Sequence, residues 1–269
     1  MPELPEVETT VRGLAKALEG RRITRVEARR EDLRRAFPKD LGQRLTGAQV
    51  SGLGRRAKYG LIHTNRGDTM IFHLGMSGSW RIDHERLEKH DHLLIETEEG
   101  RRLTLNDPRR FGSVDLVRSE ELEEWPAFRS LGPEPTGAVT GAWLRTKFAG
   151  RTAPVKSMLM DQRIIAGLGN IYACEALHRA RIDPRKEAGK VSKARLDALA
   201  QAIPAVLEEA IAAGGSTLRD FVQPDGELGY FAKDFVVYDR EGEPCDCGGT
   251  VRRIVQGGRS TFFCPRCQR

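Results

Sequence analysis

The chain changes its hydrophobic period once, at a stretch suited to neither helix nor strand: Leu-Gly-Pro-Glu-Pro-Thr-Gly, residues 131–137. Pro and Gly interrupt both kinds of element. Before this break, residues 22–118 read as short apolar runs punctuated by Gly. Candidate strands are 22–29, 47–53, 57–64, 69–74, 78–83, 92–97, 102–106 and 113–118. Alternation is clearest from Ala57 to His63, where every second side chain would face a core. Many short strands at this spacing predict an antiparallel sandwich or barrel. Residues 119–130 read as helical. After the break the period becomes helical over 141–149, 155–162, 170–179 and 193–213. In the last of these Ser192 stands as a cap and Leu196, Leu199, Ile203, Leu207 and Ile211 form one stripe. Pro204 predicts a kink there. The fold class is therefore α+β and multidomain: an antiparallel β-sandwich domain over 1–135, a helical domain over 136–235 and a C-terminal module over 236–269.

The first nine residues, Met-Pro-Glu-Leu-Pro-Glu-Val-Glu-Thr, precede the strands. Pro5 reads as the first residue of a helix with Glu6 and Glu8 in its opening turn. Val7, Val11, Leu14, Ala15 and Leu18 share a face, and Gly20 ends the run. If Met1 is removed, Pro2 carries a free secondary amine. A chain-terminal amine titrates near pH ~8, so it is far less blocked by its proton than a lysine at ~10.4. The positive end of the helix dipole disfavours the ammonium form further. Pro2 is thus a candidate nucleophile for iminium chemistry, with Glu3 beside it as acid or base.

Four of the five cysteines close the chain as two pairs, Cys245/Cys247 and Cys264/Cys267. That spacing points to one structural zinc held by four thiolates in a hairpin too small to fold alone. The first pair is C-x-C, which tightens the knuckle. Cys174 has no such partner and reads as a helix core residue.

The formal charge is +6 and the pI about 9.2. Residues 251–269 contain five arginines and no acid. A basic tail of this kind suits a polyanion. Asn170, at the start of a helix, is placed where amides and the helix N-terminus favour phosphate. No apolar run approaches the ~20 residues of a membrane span, and no signal peptide is evident, so a soluble cytoplasmic protein is expected. Residues 214–235, with Phe221, Tyr230, Phe231 and Phe235, are long for a connection and read as a lid or binding loop.

Several segments, in order and from end to end, resemble the bacterial formamidopyrimidine-DNA glycosylases: MPELPEVET, RRAKYG (55–60), HLGMSGS (73–79), KHDH (89–92), NDPRRFG (106–112), LGPEP (131–135), MDQRIIAGLGNIYACEAL (160–177), GGSTLRDF (214–221) and the tail from Tyr238. The resemblance implies that the helical domain is a helix-two-turns-helix element and that the tail is a zinc hairpin. It implies that Pro2 and Glu3 are catalytic, that Lys58 contacts phosphate and takes part in elimination, and that Arg259, at the hairpin tip, grips a phosphate and assists the second elimination. Glu6 becomes a second active-site carboxylate. Met76, Arg109 and Phe111, of which Met76 and Phe111 alone would read as core, become wedges for the gap left by an everted base. His90 and Arg151 become DNA-backbone contacts; Arg151 stands where Lys is frequent. Two departures bear on these expectations: the C-x-C pair, where the family generally has a longer spacer, and that Arg.

The implied activity is excision of oxidised purines from double-stranded DNA by a monomer at the bacterial nucleoid. Two other readings stay open. One is the sister family, endonuclease VIII, acting on oxidised pyrimidines; it shares the initial Pro-Glu but typically lacks the LPEVET continuation. The other is a non-catalytic zinc-finger protein that binds damaged DNA.

Overall fold

The computed structural model describes all residues except 1, 85, 217–223, 225–228 and 230. Much of the 214–235 segment expected as a lid, including Phe221 and Tyr230, therefore lies outside the described residues. The chain divides into two compact units, Met1–Arg129 with Ala213–Tyr230, and Ser130–Ala212 with Phe231–Arg269.

The first unit opens with α1 (Leu4–Leu18), one residue earlier than Pro5 suggests. Its N-cap is Glu3, and Glu3 and Glu6 form a capping box. The apolar face of α1 packs against two antiparallel four-stranded sheets. The strands are β1 (Ile23–Ala28), β2 (Val50–Arg56), β3 (Tyr59–Thr64), β4 (Asp68–His73), β5 (Ser79–Ile82), β6 (Asp91–Thr97), β7 (Arg102–Asn106) and β8 (Ser113–Arg118), with a short α2 (Leu41–Leu45) after β1. One sheet runs β1-β6-β7-β5 and the other β2-β3-β4-β8. Val7, Val11, Leu14 and Leu18 of α1 share a core with Ile62, Met70, Phe72, Trp80, Leu93, Ile95, Leu103 and Leu105. Phe72 on one sheet meets Trp80 on the other edge to face, with ring centres 5.5 Å apart.

Two expectations need correction here. Strands at 47–53 and 57–64 are instead β2 and β3, joined by a two-residue turn at Ala57-Lys58. Ala57 takes the positive φ (53°) that a tight hairpin asks of its first turn residue. No Gly marks that turn, so Lys58, expected on a strand, sits in a turn. Residues 119–130 are not one helix. A 3-10 run over Ser119–Glu124 ends at Trp125, which is extended before Pro126, and α3 (Pro126–Arg129) starts on the proline. Trp125 and Phe128 then pack on Tyr59 with ring centres 5.3 and 5.5 Å away.

The second unit contains α4 (Gly141–Phe148), α5 (Val155–Leu159), α6 (Asn170–Arg179) and α7 (Lys193–Ala212). α7 runs unbroken through Pro204 and packs on α4 and α6. α5 stops at Leu159 rather than 162, because Gln162 organises a turn. Its amide Nε2 donates to the Met160 and Leu168 carbonyls and its Oε1 accepts from Gly167 N–H. That turn delivers the chain to Gly169, the N-cap of α6. The C-terminal hairpin is β9 (Arg252–Gln256) and β10 (Arg259–Phe263), reversed at Gly257-Gly258, both at positive φ. Arg259 is thus the first residue of β10, just past the tip.

Candidate active site and zinc centre

The N-terminal carboxylates are deeply enclosed. Pro2 is buried, and Glu3 and Glu6 are each only 2% exposed. The Glu3 side chain accepts from the Glu6 backbone N–H, and the Glu3 N–H donates to Glu6 Oε2 at 2.8 Å. Glu6 Oε1 accepts from both N–H and Oγ–H of Ser216, at 2.9 and 3.0 Å. The Glu6 carboxylate therefore locks the entry to α1 and ties it to a segment far along the sequence. These contacts hold the Glu6 carboxylate in one place at the start of α1.

Lys58 is 9% exposed in its turn. Its charge acts on His73, whose pKa falls to about 4, first through burial and then through Lys58, Arg34 and Arg35. His73 is therefore neutral at pH 7, and its Nδ1 accepts from Gly75 N–H at 3.0 Å.

Met76, Arg109, Phe111 and His90 converge through a residue that the sequence reading did not single out. Asp107 is wholly buried. Its Oδ1 accepts from Ser77 Oγ–H at 2.7 Å and its Oδ2 from Gly112 N–H at 2.8 Å. Its backbone N–H donates to the His90 carbonyl, and its own carbonyl accepts from His92 Nε2. Ser77 Oγ in turn accepts from Arg109 N–H. Gly75, at φ +61°, lies so close to the Phe111 backbone that a Cβ there would come within 2.3 Å of the Phe111 carbonyl carbon. The loop bearing Met76 and the loop bearing Arg109 and Phe111 are thus fixed to each other. Phe111 is left 46% exposed, with the Arg109 guanidinium 4.9 Å from its ring centre. An apolar and a cationic group are presented together at a rigid edge. The only signal available in sequence was an acid before Pro in NDPRRFG, which marks a turn but not its partners.

Substituting Asp107 by Ala strands the buried Ser77 hydroxyl and Gly112 N–H. At about 1–3 kcal/mol for each such group, we expect a clear drop in the urea midpoint. Binding to an abasic-analogue duplex is expected to weaken with it, because the two loops lose their common anchor. An unchanged midpoint would show that the loops are held by other contacts.

In the second unit Asn170 and the hairpin are brought together by Lys156, which is 1% exposed. Lys156 Nζ donates to Asn170 Oδ1 and Thr261 Oγ1, both at 2.6 Å, and to the Ser260 carbonyl at 3.3 Å. Asn170 Nδ2 donates to the same Ser260 carbonyl at 3.0 Å. Arg259, exposed beside Ser260, therefore leaves a strand start that is anchored to α5 and α6. Lys156 was also missed; a lone Lys in a helix carries no sign of burial. Arg151 is exposed, and its carbonyl accepts from Gly189 N–H. Buried Glu175 accepts three backbone N–H bonds, from Val236, Val237 and Tyr238, and so fixes the approach to the hairpin.

The sulfurs of Cys245, Cys247, Cys264 and Cys267 all lie within 4.8 Å of one another. The Cys245–Cys267 and Cys247–Cys264 separations are 3.9 and 3.5 Å. Zn–S bonds of ~2.3 Å in a tetrahedron give an edge of about 3.8 Å, so the four donors fit zinc. Four thiolates complete the coordination, and the metal would supply folding energy rather than chemistry.

Three family models match this chain in order: the formamidopyrimidine-DNA glycosylase N-terminal domain over residues 1–114, the H2TH domain of the same glycosylases over 131–222, and a zinc finger found in FPG and IleRS over 242–269. A sandwich, an H2TH helical element and a zinc finger in that order define an H2TH-type DNA glycosylase with one structural zinc. Formamidopyrimidine-DNA glycosylases of Novosphingobium aromaticivorans and Rhizorhabdus wittichii are 69% and 67% identical over 270 residues, covering 100% of both chains. A solved Lactococcus lactis FPG mutant in complex with Fapy-dG-containing DNA superposes with a TM-score of 0.92 at 35% identity and full coverage of both chains. The MutM (FPG) protein of Thermus thermophilus gives 0.89 at 39%, covering 99% of this chain and 98% of that one. This chain belongs to the formamidopyrimidine-DNA glycosylase family.

Proposed function

We propose that the chain is a bifunctional DNA glycosylase and abasic-site lyase that removes 8-oxoguanine and formamidopyrimidines from double-stranded DNA. The observation that carries this reading is the N-terminus: Pro2 is buried at the mouth of a helix whose first turn is fixed by Glu3, Glu6 and Ser216. A terminus held in this way can present an amine in one orientation. A stacked base is out of reach, so the target must first be flipped out at a cost of a few kcal/mol. Met76, Arg109 and Phe111 fill the vacated space.

Once Met1 is removed, the Pro2 nitrogen attacks the sugar C1′. The C1′–base bond breaks, and the departing base leaves with its bonding pair and takes a proton. The Pro2 nitrogen gives up its own proton, its lone pair forms the C1′=N bond, and the C1′–O4′ bond breaks with O4′ taking a proton, so that the sugar ring opens. The resulting iminium draws electrons from C2′, whose proton is lost to a base. β-Elimination then breaks the bond to the 3′ phosphate oxygen, and δ-elimination the bond to the 5′ phosphate oxygen. Glu3 serves as acid and base. Lys58 and Arg259 hold phosphate and assist the eliminations, and His90, Arg151 and Asn170 hold the DNA backbone. Hydrolysis of the final iminium, in which water adds at C1′ and the Pro2 amine leaves, frees the enzyme. The chain acts as a monomer in the cytoplasm, at the nucleoid. Among the described residues no helix is long and apolar enough to cross a membrane.

Cleavage of an 8-oxoguanine duplex, giving phosphate at both ends of the gap, tests the reading. Faster turnover of oxidised pyrimidines would point to the endonuclease VIII type of activity, and binding without cleavage to a non-catalytic protein.

If these cations meet phosphates, log affinity is expected to fall with log salt by about 0.9 per phosphate neutralised. Arg151→Ala is expected to flatten that slope by at most about one unit, without changing lesion preference. Fluorescence titrations across a salt series measure it; an affinity indifferent to salt would turn the basic surplus toward solvent.

A further inference from the structure

A zinc ion held by four thiolates has a net charge of −2, and here Cys245 and Cys264 are buried. Such a centre needs N–H donors directed at its sulfurs. One comes from outside the hairpin. His178, in the last turn of α6, places Nε2 3.4 Å from Cys245 Sγ and 3.6 Å from Cys267 Sγ. The ring therefore touches one sulfur of each pair. Its nitrogen stands outside the group of four atoms that lie within 4.8 Å of one another, which leaves it beside the metal's ligand set.

We propose that His178 is a positioning residue of the zinc centre. Its Nε2–H donates to the thiolates of both Cys245 and Cys267, fastening the short Cys245-Asp246-Cys247 turn to α6. A one-residue spacer confines its two sulfurs to a narrow range of directions. An imidazole that bridges the short pair to the second pair holds those directions and lowers the negative charge on both sulfurs. The role links the helical element to the hairpin at its short Cys-Asp-Cys pair. The inference rests on the zinc assignment and is independent of the glycosylase reading.

The test uses the full-length protein loaded with zinc or with cobalt(II) as a spectroscopic substitute. His178→Ala is expected to weaken zinc about 10–100-fold in chelator competition. It is also expected to move the sulfur-to-cobalt charge-transfer band to lower energy, because a thiolate that loses a hydrogen bond is a better electron donor. His178→Gln, which keeps an N–H donor, should recover much of both effects. A side chain that only fills space would leave the charge-transfer energy where it is. An unmoved band in His178→Ala would overturn the proposal. So would X-ray absorption of the zinc protein showing nitrogen in the first coordination shell, since His178 would then be a ligand. Zinc content measured on the same parent sample separates these outcomes from a failure of the metal assignment itself.

Discussion

Protein that retains Met1, or that carries a tag fused ahead of Pro2, is expected to lose borohydride-trapped protein–DNA adduct entirely on an 8-oxoguanine duplex. Strand cleavage should fall on the order of 10⁴-fold or more, the scale seen when a covalent nucleophile is removed. The amide nitrogen of a Met1–Pro2 bond has no lone pair to offer. Pro2→Gly leaves a primary amine but gives up the ring that fixes φ near −65°, so trapping should survive only weakly. Circular dichroism should be unchanged in both, because the capping contacts of Glu3 and Glu6 do not involve the Pro2 nitrogen. Undiminished trapping with a blocked terminus would move the nucleophile elsewhere, with Lys58 the first residue to test.

Cys264→Ala should have the second-largest effect. Cys264 is fully buried, and its sulfur lies 3.5 Å from that of Cys247. Zinc at such sites supplies ~10–16 kcal/mol of apparent folding free energy, and an isolated two-stranded ribbon is at best marginal without help. The variant is expected to lose its metal and the order of β9 and β10 with it. Arg259 then loses its scaffold. DNA affinity should fall by at least about 100-fold, the lower end for two charge-assisted hydrogen bonds at ~1.5–3 kcal/mol each. The β-sandwich should stay folded, since its core draws on α1 and two sheets that contain none of these cysteines. Elemental analysis finding active parent protein without zinc would end the four-cysteine assignment.

The sequence made the strand-rich and helical halves, the zinc ligands and the N-terminal helix readable, because each rests on local spacing. What it could not show depends on partners distant in the chain or on backbone groups. The partners of Glu6 are one case: its oxygens accept from Glu3 and from Ser216, 210 positions away. Asp107 was visible as a letter in NDPRRFG, but its value lies in backbone N–H and carbonyl groups of other segments. The Ala57-Lys58 turn was missed because an alanine holds the positive φ usually given to glycine. His178 gave no sign at all, since nothing in EALHRAR connects it to cysteines 67 and 89 residues away.

The clasp between Glu6 and Ser216 spans 210 positions. A ribosome lengthening the chain at roughly 5–20 residues per second needs on the order of 10–40 seconds to bring the second partner out after the first. During that interval the buried carboxylate at the helix entry lacks a contact it will keep for the life of the protein. A truncated product of a stalled messenger would carry the intact N-terminal motif without this restraint. The arrangement therefore makes this restraint on the helix entry wait for synthesis to reach Ser216, and a product ending earlier lacks it.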